Sequence, residues 1–283
     1  MHKQVRVVVV GCGDIGSRVA VLLQQQGWLV HGLRRTTAHL PAQILPIAAD
    51  MQQPQCPADW PQQPIDYVVY AMAAQRMDAQ GYQQAYVQGQ RHLYSWLAQH
   101  QQQPKRVVFV SSTGVYGQND DSWIDEQSPT EPARWAGQIM LEAEQCAAQS
   151  GHPATAVRLS GIYGPGRHML IDRVRAGYHA PHLHSFTNRI HADDAAALIA
   201  KVLLVDAQGQ AVEPIYIGVD NEPVEQAEVV AWLQQRLGVS SVAECLLKPR
   251  SGSTRCSNAR ARALGWTPRY PSFREGYAAQ LAE

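Results

Sequence analysis

Residues 5–16 constrain this chain more than any other stretch. Val5 and Val7 to Val10 form a short β-branched run that is apolar on both faces, the pattern of a central parallel strand covered by helices on each side. Gly11-Cys12-Gly13-Asp14-Ile15-Gly16 follows directly, and Ile15, Val19, Leu22 and Leu23 then recur at helical spacing up to Gly27, which suits a left-handed helix stop. Glycines between a strand and a helix allow a tight turn, a close approach of backbone to a pyrophosphate and close helix-on-strand packing, while the first helical N–H groups face the anion. Gly11, Gly13, Asp14, Ile15 and Gly16 are therefore expected to hold a dinucleotide. The competing reading is a glycine turn that binds nothing.

Strands and helices alternate from there. A second strand is predicted over residues 28–33, and at its end, where an acid would meet the ribose hydroxyls of NAD, stand Arg34 and Arg35. Two guanidinium forks suit a 2′-phosphate, so NADP is the expected cofactor with NAD as the alternative; solvated surface is the bland explanation of both arginines. Residues 44–48 read as a third strand ending at Asp50 and Met51, and residues 52–64, rich in Gln and Pro, as a surface connection. A fourth strand, 66–70, ends in Ala71-Met72-Ala73-Ala74, small residues that let backbone lie against a cofactor; Asp50, Met51, Ala71 and Ala73 join the expected cofactor-binding set. A helix over 78–100 and a strand over 106–110 complete the pattern, which implies parallel crossovers in an α/β, Rossmann-type doubly wound parallel sheet.

With 283 residues, 45% hydrophobic, 17% charged and a formal net charge of zero, the chain suits one large or two intimate globular units and carries no basic excess to recruit nucleic acid. No apolar run approaches the ~20 residues of a membrane span. Met1 to Gln4 lead straight into the first strand, so no signal peptide is expected. The five cysteines (Cys12, Cys56, Cys146, Cys245, Cys256) are odd in number and lack metal-type spacing, which suits a reducing cytoplasm.

The fifth strand opens into Ser111-Ser112-Thr113-Gly114-Val115-Tyr116-Gly117. With this motif the chain resembles the extended short-chain dehydrogenase/reductases of the nucleotide-sugar epimerase and dehydratase type. The resemblance continues through Val157-Arg158-Leu159-Ser160-Gly161-Ile162-Tyr163-Gly164-Pro165-Gly166-Arg167, similar to that family's sixth strand and the loop beside the nicotinamide, and through Asn188 to Asp194. It implies that Ser112 hydrogen-bonds the reacting carbonyl or alcohol, with Thr113 beside it, and that Ser111 and Tyr163 border the cofactor.

One departure outweighs these agreements. The family's acid/base is a tyrosine followed four residues later by a lysine, on one face of the helix after the fifth strand. This sequence has no tyrosine between Tyr116 and Tyr163 and no lysine between Lys105 and Lys201; Ala133 and Gly137, or Ala136 and Met140, take the places, depending on the alignment. What stands there is Glu131-Pro132-Ala133-Arg134-Trp135-Ala136-Gly137-Gln138, a helix start with Pro132 inside it. Arg134 is a third catalytic candidate, as a cation toward ribose or substrate, although a guanidinium is no acid and a solvated arginine is the alternative. The pattern is similar to the atypical branch, including the YeeZ-like proteins, for which the resemblance implies cofactor binding more firmly than any reaction.

The remainder is less specific. His179, His182 and His184 suggest a metal or a polar substrate, but the spacing fits no zinc pattern, and no metal site is expected. His191 and Asp193 either face the site or cap a helix. Arg250, Arg255, Arg260 and Arg262 either read an anionic group or form an exposed basic stretch. Residues 225–237 and 271–281 read as helices. The expected division is a dinucleotide-binding unit of residues 1–163 and 189–217 and a small C-terminal substrate lobe of residues 164–188 and 218–283. The leading expectation is an NADP-dependent oxidoreductase or epimerase/dehydratase-like enzyme acting on a carbonyl or sugar-type small molecule, with homodimer formation open. The alternative is a NAD(P)-binding sensor that has lost hydride chemistry.

Overall fold

Strand β1 (Arg6–Val10) is an interior strand of a seven-stranded parallel sheet completed by β2 (Leu29–Arg34), β3 (Leu45–Ala48), β4 (Tyr67–Tyr70), β5 (Arg106–Ser112), β6 (Ala154–Leu159) and β7 (Ile215–Gly218). The spatial order is β3-β2-β1-β4-β5-β6-β7. The computed structural model describes residues 4–179, 184–240, 243–244 and 252–282. Successive side chains of β1 leave on opposite faces, and both faces are covered. Val7 and Val9 pack under α1 (Asp14–Gln25), while Val8 and Val10 pack with Leu93 and Trp96 of α2 (Gly89–Gln99) and Met140 and Ala143 of α3 (Trp135–Ala148). This is why the valine run has no polar alternation; each buried valine contributes on the order of 1.5–3 kcal/mol. Helix α4 (Ala192–Ala207) lies beside α1 on the first face, its Leu198, Ile199, Val202 and Leu203 fully buried.

Strand order reverses between β1 and β4, and there the backbone of Ala71 meets the glycine turn. A smaller lobe has an apolar core of its own. Its core gathers Ile171 and Val174 of the short helix Met169–Arg175, Val229, Val230 and Leu233 of α5 (Gln226–Leu237), and Phe273 and Tyr277 of α6 (Phe273–Leu281), with Tyr163 and Tyr178. Gly238, at φ +64, stops α5 in the left-handed conformation.

Three expectations change in detail. Helix α3 starts at Trp135, so Pro132 precedes the helix rather than beginning it. The stretch over 78–100 is an α-turn (Ala79–Tyr82), a π-helical segment (Gln83–Gln88) and then α2. The carboxyl-terminal segment does not stay in the small lobe: Arg255–Cys256 pair with Trp123–Ile124, and Ala261 and Trp266 are buried in the α1/α4 core. The lobes are interleaved because Ala261 and Trp266 find their burial on the sheet while Phe273 and Tyr277, further along, return to the small-lobe core.

Candidate active site

The three glycines of the turn have three different environments. Gly11 is at φ +83, and a Cβ there would stand 2.7 Å from the Ala71 carbonyl carbon. A Cβ on Gly16 would stand 2.4 Å from the Gly11 oxygen. Gly13 meets nothing nearer than 4.0 Å, so the turn is closed toward the protein and open at its middle. No side chain caps α1, whose first N–H groups have no helical acceptor. The N–H groups of Gly11 and Cys12 bond to the Leu33 carbonyl and that of Gly13 to the Gly11 carbonyl, so the donors this open cradle offers a dinucleotide pyrophosphate are the first N–H groups of α1.

The end of β2 lies over this turn. Arg34, the last residue of the strand, donates from Nη1 to the Cys12 carbonyl (3.3 Å), and the exposed Arg35 follows it. Asp50 is half-buried, with its Oδ1 accepting from the Gln52 N–H (3.0 Å). Met51 next to it belongs to the core: its side chain is sealed among Trp60 and Trp96, and its carbonyl accepts from His92 Nδ1 (2.8 Å), so backbone is all it offers a ligand. Ala71 is half-buried and Ala73 exposed beyond β4.

Strand β5 runs to Ser112, placing two adjacent serines on opposite faces. Ser112 is half-buried; its Oγ accepts from the Gly114 N–H (3.0 Å), and its own proton has no acceptor among the described residues. Thr113 is half-buried at the start of the 3-10 turn Thr113–Val115. Ser111 points the other way, donating to Glu144 Oε1 (2.5 Å). Glu144 in turn pairs with the buried Arg158 (Nε to Oε1 3.0 Å, Nη2 to Oε2 2.7 Å), and Arg158 Nη1 donates to the Tyr116 hydroxyl (2.8 Å), which donates to the Asp125 carbonyl (2.8 Å). Ser111 and Tyr116 are thus fixed in a buried network. Burial pushes the Tyr116 phenol up to about 12 against the opposing pull of Arg158, so Tyr116 holds its proton on a carbonyl and is no acid for a substrate.

Helix α3 presses against this strand end. A Cβ on Gly137 would lie 2.3 Å from the Gly114 oxygen, so the position admits glycine alone. Met140 is buried in the apolar core, Ala136 is half-buried and Ala133 exposed. Neither alignment of the family's pair finds a phenol or an amine. Arg134, exposed, is the residue that precedes the helix. The adjoining Trp135 stands edge-on to Tyr82 (5.0 Å), which stands edge-on to Tyr86 (5.1 Å), and the Tyr86 hydroxyl accepts from the Ala74 N–H (3.4 Å). This aromatic ladder joins the start of α3 to the loop after β4. Helical spacing of Tyr82 and Tyr86 signalled their shared face; Trp135 gave no signal.

At the mouth of the glycine turn Asp14 accepts from Arg18 Nε (2.8 Å) and Arg167 Nε (2.9 Å), and Arg18 also reaches Asp193. Burial works against the Asp14 carboxylate, but the two arginines prevail and hold it below the usual range. His191 caps α4, its Nδ1 accepting from the Asp193 N–H (3.2 Å), with its ring 4.0 Å from that of Tyr270. Tyr163 does not border the cleft with its side chain: it is buried in the small-lobe core against Tyr277, its hydroxyl on the Ser272 carbonyl (3.3 Å). His184 pairs with Glu225 (2.9 Å), while His182, Cys245 and Arg250 lie outside the described residues. Arg255 lies against the rings of Trp123 and Phe186, and Arg260 pairs with Glu126 (3.5 Å). Among the described residues no three or more His, Cys, Asp or Glu side chains form a metal-type cluster, and no helix is long and apolar enough to cross a membrane.

Comparison with known proteins agrees with this geometry. The model of the NAD dependent epimerase/dehydratase family matches residues 7–218. Protein YeeZ of Escherichia coli (strain K12) is 28% identical over 208 residues, 70% of this chain and 73% of YeeZ. A solved structure assigned to the NAD-dependent epimerase/dehydratases, from Methylobacillus flagellatus, is 35% identical, covers 99% of this chain and 98% of its own, and superposes with a TM-score of 0.80. The UDP-glucose 4-epimerase of Thermus thermophilus, solved with NAD, shares the fold at a TM-score of 0.79 and 20% identity, over 98% of each chain. Residues 7–218, which carry the seven-stranded sheet, the glycine turn and Ser112, match the family model over most of the chain, and this chain therefore belongs to the NAD dependent epimerase/dehydratase family.

Proposed function

We propose that this chain is an NADP-dependent oxidoreductase of the epimerase/dehydratase kind, acting slowly on a carbonyl or alcohol of a sugar-type small molecule. The observation that carries the proposal is the Ser112 hydroxyl, anchored as acceptor by Gly114 N–H with its proton available, at the end of β5, which only β4 separates from β1 and its glycine turn. Gly11, Gly13 and Gly16 would hold the pyrophosphate, and Arg34 and Arg35 the 2′-phosphate. The bound nicotinamide supplies or accepts a hydride. Ser112 donates a hydrogen bond to the reacting oxygen and stabilises charge that develops there. With Tyr116 held in the buried network, the proton reaches that oxygen through Ser112, Thr113 or solvent, none of them a good acid at neutral pH.

The expected results are NADPH oxidation on part of a panel of aldehydes, ketones and sugar nucleotides, and a loss of at least ~100-fold with Ser112→Ala. Turnover indifferent to Ser112 removes the assignment. Arg34→Ala should weaken NADP roughly ten-fold while sparing NAD, since one charge-assisted contact is worth about 1.5–3 kcal/mol; equal affinity of the wild type for both cofactors removes NADP preference. A second reading, a cofactor-binding sensor, is favoured by Met140, which puts an apolar side chain in the core at the position the lysine would take under one of the two alignments. Tight NADPH binding with no turnover on any substrate selects it.

A further inference from the structure

We infer that Arg167 is a ligand of the cofactor's pyrophosphate, presented by the small lobe across the mouth of the glycine turn; the inference rests on the dinucleotide-binding reading above. Asp14 places a carboxylate on the first residue of α1, beside the open cradle at Gly13. A diphosphate entering there brings two negative charges next to that carboxylate, a repulsion that needs compensating cations. The structure supplies two. Arg18 is committed at both ends, to Asp14 and Asp193. Arg167 is committed only through Nε, 2.9 Å from Asp14 Oδ2, and both of its Nη groups are without a partner among the described residues. A guanidinium gripped by Nε presents the rest of its fork, the geometry that takes phosphate oxygens in pairs.

The loop that carries Arg167 is built to hold it. Gly164 (φ +126) and Gly166 (φ +77) shape a tight turn closed by the Arg167 N–H on the Gly164 carbonyl (2.9 Å). The buried Gln280 of α6 donates from Nε2 to the Gly164 carbonyl (2.7 Å), tying the turn to the small lobe. A bare surface ion pair, worth ~0–1 kcal/mol, would not require such anchorage. Cofactor binding at this point joins the two lobes.

The test compares wild type, Arg167→Ala and Arg167→Lys in titrations with NADP, NAD and 2′-AMP, the last carrying a 2′-phosphate but no pyrophosphate, with thermal melts to confirm folding. Arg167→Ala is expected to weaken NADP and NAD by the same factor, roughly ten-fold or more, and to leave 2′-AMP unchanged; Arg167→Lys, which keeps the charge but loses the fork, should fall between. This pattern differs from that of Arg34→Ala, which acts on NADP and 2′-AMP and spares NAD. Unchanged dinucleotide affinity in Arg167→Ala overturns the inference and leaves the cofactor reading standing. An equal loss for 2′-AMP also overturns it, because the loop would then act on the site as a whole. Failure of the wild type to bind either dinucleotide overturns both.

Discussion

Gly13 and Gly16 look alike in the sequence and differ in the structure. Gly13→Asp meets nothing nearer than 4.0 Å at its new Cβ, so no side-chain clash opposes folding, and the protein should lose dinucleotide binding by charge and bulk with only a small change in melting temperature. Gly16→Val drives a branched side chain into the Gly11 carbonyl and Val9, so it should lower stability by several kcal/mol as well as abolish binding. Urea melts beside tryptophan-quenching titrations separate the two outcomes; a Gly13→Asp protein that binds normally would reduce the fingerprint to a turn. The turn itself was legible in the residues because strand, glycines and helix are contiguous. The partners of Ser111 and Tyr116 were not, because Glu144 and Arg158 reach them from an α3 and a β6 whose placement depends on the whole sheet. Arg158 inside an apolar strand was the available signal, since a buried cation needs a buried acid.

At the scale of elements, the π-helical segment ahead of α2 has an identifiable cause. The Tyr70 hydroxyl, at the end of β4 and fully buried, donates to the Ala85 carbonyl (2.6 Å), while the Gly89 N–H reaches back five residues to Gln84. The phenol is wedged where a regular turn would close, and a Cβ on Gly89 would stand 2.2 Å from its oxygen. Gln90 and Gln83 brace the wide turn against α3 through the Ala143 carbonyl (3.0 Å) and Glu142 (2.8 Å). Periodicity predicts one helix over 78–100 because a π-turn inserts a single residue and leaves the apolar spacing on either side intact, and its cause lies outside the helix. Gly89→Ala should therefore cost about 2–3 kcal/mol, Tyr70→Phe about 1–2 kcal/mol, and the double variant less than their sum, since the phenyl ring no longer carries the clashing oxygen. Strict additivity in urea midpoints would show that the hydroxyl does not set the turn.

On the scale of the whole molecule, the two lobes meet around a buried carboxylate. Asp220 follows β7; its N–H donates to the Arg189 carbonyl (2.8 Å), its Oδ1 accepts from the Glu222 N–H (3.1 Å), and Asn258 Nδ2 donates to its carbonyl (3.2 Å), while Oδ2 has no partner among the described residues. Asp220 carries no signal in the sequence, because its burial is created by α6 and by the interleaved carboxyl-terminal segment arriving from far along the chain. Burial raises its pKa to about 7, with Arg189 and the Glu222 N–H opposing and the charges of Glu222 and Asp194 adding to the rise; the phenols of Tyr163 and Tyr277 also face it. The folded-state value is thus above the ~3.9 of an unfolded aspartate, so the contribution of Asp220 to stability is fully present below ~4 and is lost as pH rises through about 7. At ~1.36 kcal/mol per pH unit the loss is on the order of 4 kcal/mol at its largest. Asp220→Asn, which cannot ionise, should melt close to wild type at pH 4, exceed it by about 2–4 kcal/mol at pH 8, and flatten the fall in stability between those limits. Urea midpoints at the two pH values decide the matter: a variant no more stable than wild type at pH 8 would mean that Arg189, 7% exposed and held by Thr187 and Gln226, neutralises the ionised Asp220 after all.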